Sequence, residues 1–301
     1  MKRKLIRQGA DGLTITVPKE WTTQHHLTSR DEVDLCVRDD ALVIRAKPKQ
    51  HECATALHLP VMDIHAYRHF LYNAYRRGFT EINITFDKPE QFPDIRAVID
   101  QLLGFEITHQ SRTSVTLKSV ALPDEKEYPA LFRRSFHIVQ TAFSTFVADL
   151  HAKKFPPATI ASLRLDILRI GNYCERILHH NPAINKQAFA DYTLLTLNDA
   201  VLSQFQQIYA TLHTVKKPST DLVRYADQLK RFFEQVTTAI FAESRQHVLP
   251  LITQKYILYA TKREYITSAS KTERESCQEL GCLLRLLTEY VCVVSLLSFK
   301  D

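Results

Sequence analysis

Two hydrophobic periods divide this chain. In Leu13-Thr14-Ile15-Thr16-Val17 and in Val33-Asp34-Leu35-Cys36-Val37 apolar residues take every second position, the period of a strand with one buried face. Further strands are predicted over 4–8 and 41–46, with turns at Ala10-Asp11-Gly12 and Asp39-Asp40. Between the two pairs, residues 19–26 allow two helical turns, with Pro18 at the first helical position, where proline is tolerated. Four such short strands bury too little apolar surface to stand alone, so two copies are expected to interleave their hairpins into one barrel.

Residues 47–53 are polar, carry Pro48 and read as a linker. A mixed segment follows over 54–122. Asp63 is placed to cap a helix running to Arg77, with Tyr67, Phe70, Leu71 and Ala74 at helical spacing and Gly78 just past its end. Residues 82–86 alternate as a strand, 95–103 form a second helix stopped by Gly104, and 105–110 with 115–120 form two more strands.

From Leu122 onward the period is helical. Apolar stripes run through Phe132, Phe136, Val139, Phe143, Phe146 and Leu150, and then through Leu163, Ile167, Ile170, Cys174 and Ile177. Others follow through Leu194, Val201, Phe205 and Leu212, and through Leu222, Leu229, Phe233 and Ile240. Two last helices are predicted at about 247–268 and 272–299. The breaks fall at Phe155-Pro156-Pro157, Asn181-Pro182, Lys216-Lys217-Pro218 and Ser268-Ala269-Ser270. Six helices with short connections imply an antiparallel bundle. A weak echo pairs 166–172 with 221–227 and Arg176 with Arg231; it fits either a duplicated three-helix unit or a chance likeness of two amphipathic helices.

The start of the chain resembles the AbrB/SpoVT swapped-hairpin domain, on Gly12-Leu13-Thr14-Ile15-Thr16-Val17-Pro18-Lys19-Glu20-Trp21 and Asp31-Glu32-Val33-Asp34-Leu35. With the α/β segment containing 66–82 and the six helices, the order of parts resembles the archaeal PhoU-like phosphate uptake regulators, which carry an AbrB-type domain ahead of two PhoU bundles. The expected architecture is multidomain α+β: a dimeric swapped-hairpin barrel over 1–48, a small α/β middle domain over 54–122, and PhoU-like helical bundles over 123–301. The resemblance implies transcription regulation, a link to phosphate transport, and the phosphate transporter or its signalling machinery as partner.

Composition narrows the classes. A hydrophobic fraction of 45% permits real cores, and with only 6 Gly the chain has no glycine-rich phosphate loop. The net charge of +6 suits a polyanionic partner but is also ordinary for a soluble surface. Six scattered cysteines without a C-x-x-C pair, and no apolar leader at the start, point to reduced thiols in a cytoplasm. The most lipid-like stretch, 290–299, is about half of a spanning helix and reads as a buried helix end, so no membrane insertion is expected.

PhoU bundles bind metal through Glu/Asp-x-x-x-Asp repeats, whose two carboxylates share one helix face. Here the counterparts read Leu168-x-x-x-Asn172 and Val223-x-x-x-Asp227, so no metal cluster and no cofactor is expected. Glu275 and Glu279 have the spacing but belong to a helix start, where acidic residues complement the dipole. His51, Cys53 and His58 match no common zinc spacing, and Cys277 and Cys282 point to different sides of one helix. His25-His26 and His179-His180 are assigned to helix ends. No catalytic set follows from spacing, and the chain is read as a non-enzyme.

DNA binding is the remaining activity. Lys2, Arg3, Lys4 and Arg7 precede any acidic residue, and Lys19 opens the short helix. A two-fold dimer doubles these to about ten cations on one barrel, enough for salt-sensitive phosphate contacts. In the AbrB family, arginines beside the hairpin and helix do much of the DNA work, whereas this chain has Ala10-Asp11-Gly12 and Trp21-Thr22-Thr23 there. The alternative is an adaptor that dimerises through the barrel and binds a transporter or signalling protein through its helices.

Overall fold

The N-terminal alternation produces two separate hairpins. In the computed structural model, β1 (Ile6–Gln8) pairs antiparallel with β2 (Gly12–Thr14), and β3 (Val33–Arg38) with β4 (Ala41–Ala46), with α1 (Lys19–Gln24) between the pairs. The structure describes every residue except 10–11, 39–40, 47–52, 122, 181–186, 214, 216, 243, 271–272 and 299–301. The expected turns at Ala10-Asp11 and Asp39-Asp40, most of the linker with His51, and the breaks at Asn181-Pro182 and Lys216 therefore lie outside the described residues.

β3 and β4 have the expected bounds, whereas β1 and β2 are shorter than the 4–8 and 13–17 read from the alternation. Their ladder pairs three residues a side, Ile6–Gln8 against Gly12–Thr14, where that of β3 and β4 pairs six. Pro18 sits just before α1 as its N-cap, and α1 stops at Gln24 because His26 turns left-handed, with φ 51°. The hairpins do not close into a barrel within one chain, and no described residue of this first compact unit, Met1–Glu52, is buried.

The second unit, Cys53–Asp301, contains two hydrophobic cores. Its sheet takes the order β5-β6-β8-β7 from β5 (Ala54–Leu59), β6 (Glu81–Phe86), β7 (Phe105–Gln110) and β8 (Ser114–Ser119). β5 runs parallel to β6 through the crossover helix α2 (Ile64–Arg76), and the other pairings are antiparallel. Ile82, Ile84, Phe86, Val115 and Leu117 alternate onto the buried face, in one core with Tyr67, Leu71 and Tyr75 of α2 and with Ile95 and Val98 of α3 (Phe92–Ile99). α2 begins and ends as predicted, with Asp63 capping it and Gly78 at φ 85° beyond it. α3 starts three residues before the expected Ile95, where Pro93 fits the first turn of a helix. It also ends earlier, at Ile99.

The helical region consists of α4 (Tyr128–Ala152), α5 (Pro157–His180), α6 (Ala188–Leu212), α7 (Thr220–Ala242), α8 (Val248–Ser268) and α9 (Arg274–Leu297). Their apolar stripes share one core. α4 packs on α5 and α6, α7 packs on α8 and α9, and the two triplets meet through α4 against α7 and α6 against α9. Helix order thus matches α5 with α8, whereas the sequence echo set α5 against α7. Arg176 is buried, while Arg231 is 71% exposed and paired with Asp227, so the two arginines of the echo do different work.

At the centre, Phe136 packs against Phe132, Phe233, Phe241 and Tyr290 with ring centroids 5.3–6.4 Å apart. A buried polar string crosses the same core. Tyr290 donates to Asn198 Oδ1 at 2.7 Å, and Asn198 Nδ2 donates to Ser135 Oγ at 2.9 Å. These bonds tie α9, α6 and α4 into a fixed register. Among the described residues α9 is the one helix long and apolar enough to cross a membrane, yet 61% of its apolar window is buried in the fold, as in the core helix of a soluble protein.

Candidate functional site

The five basic residues singled out for DNA all lie in the first unit and are exposed. Lys2, Arg3 and Lys4 precede β1, Arg7 lies on β1 opposite Leu13, and Lys19 opens α1. The same unit carries an apolar surface. Register places Val33, Leu35 and Val37 of β3 opposite Ala46, Ile44 and Leu42 of β4, so one whole face of this hairpin is hydrophobic. Leu35 is 61%, Val37 79% and Leu42 53% exposed.

In the second unit a polar cavity of about 220 Å³ lies where α2 meets α5 and α6. The 13-residue α2 has two working faces, because residues three and four apart share a side. Tyr67, Leu71 and Tyr75 enter the α/β core, while His65, Arg68, His69, Tyr72 and Arg76 line the cavity. Asp63 fixes the start of the helix by accepting from His65 N at 2.8 Å and Ala66 N at 2.9 Å, and these bonds hold its carboxyl below the usual carboxylate range.

Opposite stand Arg164 and Glu175 of α5 and Asp199 of α6. Arg76 Nε lies 2.7 Å from both Glu175 Oε2 and Asn172 Oδ1. Arg164 donates to Gln206 Oε1 at 2.6 Å and reaches Asp199 Oδ1 at 3.5 Å. Burial raises Glu175 to about 7, with the Arg76 charge opposing and the Asp199 charge adding to the rise. Burial also raises the Tyr72 hydroxyl, which feels the charges of Arg68, Asp199, Arg76 and Arg164 together. Three buried donor groups find no protein partner: Arg68 Nε, Tyr72 Oη and Asn172 Nδ2.

Next to the cavity, Arg176 is 1% exposed and closes the C-terminal end of α2. Its guanidinium donates to Tyr75 O and, at 2.9 Å, to Phe79 O, and it lies 4.9 Å from the ring centroids of Tyr75 and Phe105. A helix of the bundle thus satisfies carbonyls at the end of a helix of the α/β layer. The link runs through desolvated charge, so the two cores are tied in one orientation.

The positions compared with a carboxylate metal motif make other contacts. Leu168 joins the α/β core, Asn172 accepts from Arg76, and Asp227 pairs with Arg231 at 2.6 Å. His58 bonds Thr85 and Asp87 across the sheet edge, and no group of three or more His, Cys, Asp or Glu suited to a metal ion occurs among the described residues. Glu275 lies in the first turn of α9, and Glu279 accepts from Gln204. Cys277 is buried in the core, Cys282 half-buried. An apolar shelf of about 320 Å³, with Phe189 80% and Leu296 56% exposed, lies along α6 and α9.

The cavity was not legible in the chain as a site. Its one local signal is the polar run Asn172, Glu175 and Arg176 inside an apolar helix, and its other half comes from α2, about a hundred residues earlier. The chain matches no protein-family model, no curated protein and no solved structure.

Proposed function

We propose that this protein is a homodimeric, non-enzymatic DNA-binding transcriptional regulator of the AbrB–PhoU kind, acting in a cytoplasm. Two copies interleave their N-terminal hairpins into one barrel, and the second unit senses the signal or engages a phosphate transporter or its signalling protein. The observation that carries this reading is the uncovered hairpin of β3 and β4, with six apolar residues on one face and three of them more than half exposed. A lone two-stranded hairpin is marginal in water. The occupant that fits is a second copy, since each chain brings the same apolar face and the same unpaired strand edges, and a two-fold operation covers both at once.

Lys2, Arg3, Lys4, Arg7 and Lys19 then supply the phosphate contacts of the paired barrel. Fluorescence anisotropy against genomic fragments at graded salt tests this. Arg3→Ala with Lys4→Ala removes four cations per dimer and should lower the slope of log affinity against log salt by about 3 to 4. Absence of salt-dependent binding in the unaltered protein refutes the DNA role.

The second reading, an adaptor that only dimerises through the barrel, draws on the apolar shelf of α6 and α9. It predicts that the same double substitution leaves partner capture unchanged while Phe189→Asp with Leu296→Asp abolishes it.

A further inference from the structure

The cavity between α2, α5 and α6 plays no part in the DNA reading and does not depend on it. Its walls carry three guanidinium groups, Arg68, Arg76 and Arg164, against two carboxylates, Glu175 and Asp199. Two of the three cations are engaged: Arg76 by Glu175 at 2.7 Å and Arg164 by Gln206 at 2.6 Å. Among the described residues Arg68 has no carboxylate partner, and its buried Nε lacks an acceptor.

Tyr72 is the second independent observation. It is 5% exposed, lines the same cavity, and its hydroxyl is likewise unmatched. Buried donors without acceptors are costly, and charged ones more so. The one deeply buried carboxylate on these walls, Glu175, is taken by Arg76 at 2.7 Å, so Arg68 and Tyr72 are left without an acceptor. The volume of about 220 Å³ falls below the roughly 300–1,000 Å³ of pockets that hold drug-sized ligands. A small ion fits this space better than a nucleotide does.

We propose that this cavity binds a small tetrahedral oxyanion, free phosphate or sulfate, through Arg68, Tyr72 and Arg164. Its walls come from both layers of the second unit, so the bound ion would clamp α2 onto α5 and α6 and stabilise the junction by mass action. Binding is also tied to pH through Glu175. The charges acting on it are Arg76 from α2, 2.7 Å away, and Asp199 from α6, with the Cys174 thiol beside it on α5; His65, Arg68, His69, Tyr72 and Arg164 line the rest of the cavity. When Glu175 takes up a proton, Arg76 loses its counter-charge and the cavity becomes more positive, so affinity rises as pH falls through neutrality.

Isothermal titration of the full-length protein in low-chloride buffer tests this with sulfate, phosphate and AMP. Sulfate keeps its charge across neutral pH, so any pH effect with sulfate belongs to the protein. The expected result is saturable binding of one sulfate or phosphate per chain. Arg68→Ala should weaken it at least about tenfold, the size of one charge-assisted hydrogen bond, and Tyr72→Phe should weaken it less. Arg112→Ala, on the exposed β7–β8 turn, should leave it unchanged. Sulfate should bind more tightly at pH 6 than at pH 8, and Glu175→Gln should shrink the difference, while His65→Gln with His69→Gln separates the contribution of the two histidines on the same walls.

Because Arg68 has no ion pair among the described residues and its Nε no acceptor, its loss should not unfold the protein, and a thermal melt of each variant checks this. Should Arg68→Ala melt early, Tyr72→Phe decides alone. No saturable heat with millimolar sulfate and phosphate, or affinity equal in wild type and Arg68→Ala, overturns the proposal and leaves the cavity to water. Binding of AMP tighter than phosphate overturns the assignment to a free ion.

Discussion

Val37 stands 79% exposed on the β3–β4 hairpin, whereas Phe136, at the same kind of apolar position on α4, is 0% exposed and enclosed by four other rings. Each residue obeys the period of its own element, strand or helix, but only Phe136 has found a surface to cover it. In Cys53–Asp301 every predicted stripe meets another from the same chain, so this unit has the cores it needs for independent stability. In Met1–Glu52 the alternation is equally regular and no described side chain is buried. Each large apolar side chain left in water forgoes about 1.5–3 kcal/mol. The difference teaches that a clear hydrophobic pattern specifies which face must be buried, not which chain buries it.

The contrast can be broken most forcefully at the centre of the second unit. Phe136→Ala opens a cavity among Phe132, Phe233, Phe241 and Tyr290, and should cost about 3–5 kcal/mol in urea denaturation. Arg176→Met comes next. It leaves Phe79 O without its donor and Tyr75 O with only the backbone N–H groups at the end of α2, and should cost about 1–3 kcal/mol, with hydrogen exchange accelerating first at the end of α2. A loss confined to global stability, with α2 still protected, would detach Arg176 from the junction.

A smaller effect sharpens the same junction. The folded chain holds the Glu175 proton up to about 7, while an unfolded glutamate releases it near about 4.3. Between these values the folded state binds more protons, so the stability this group contributes at acid pH is lost as pH rises through about 7. The slope should approach about 1.4 kcal/mol per pH unit within that window. Glu175→Gln should flatten it, as read from melting temperature between pH 5 and pH 8. The smallest change in the second unit should come from Leu35→Asp with Val37→Asp, which should leave its unfolding within about 0.5 kcal/mol while separating the protomers.

Much of the second unit was legible because its signals are local. Asp63 and Gly78 bracket α2, one proline pair and short polar breaks separate the helices, and stripes such as Phe132 to Leu150 lie three or four apart. β5 escaped notice because Ala54-Thr55-Ala56-Leu57 is small and weakly alternating, and it becomes a strand by pairing parallel to β6. The starts of α3 and the ends of β1 and β2 moved for the same reason, since neighbours and turns set them. The cavity was hidden because Arg76 meets Asn172 and Glu175 only after α2 packs on α5. Asn172 looked like a lost metal ligand; in the fold it is an acceptor for an arginine.

Sedimentation equilibrium of the full-length protein at submicromolar concentration tests the central claim most directly. The account predicts twice the chain mass, falling to one chain mass in the Leu35→Asp with Val37→Asp variant. A well-folded protein of single chain mass, with native N-terminal strand signals intact, would contradict it.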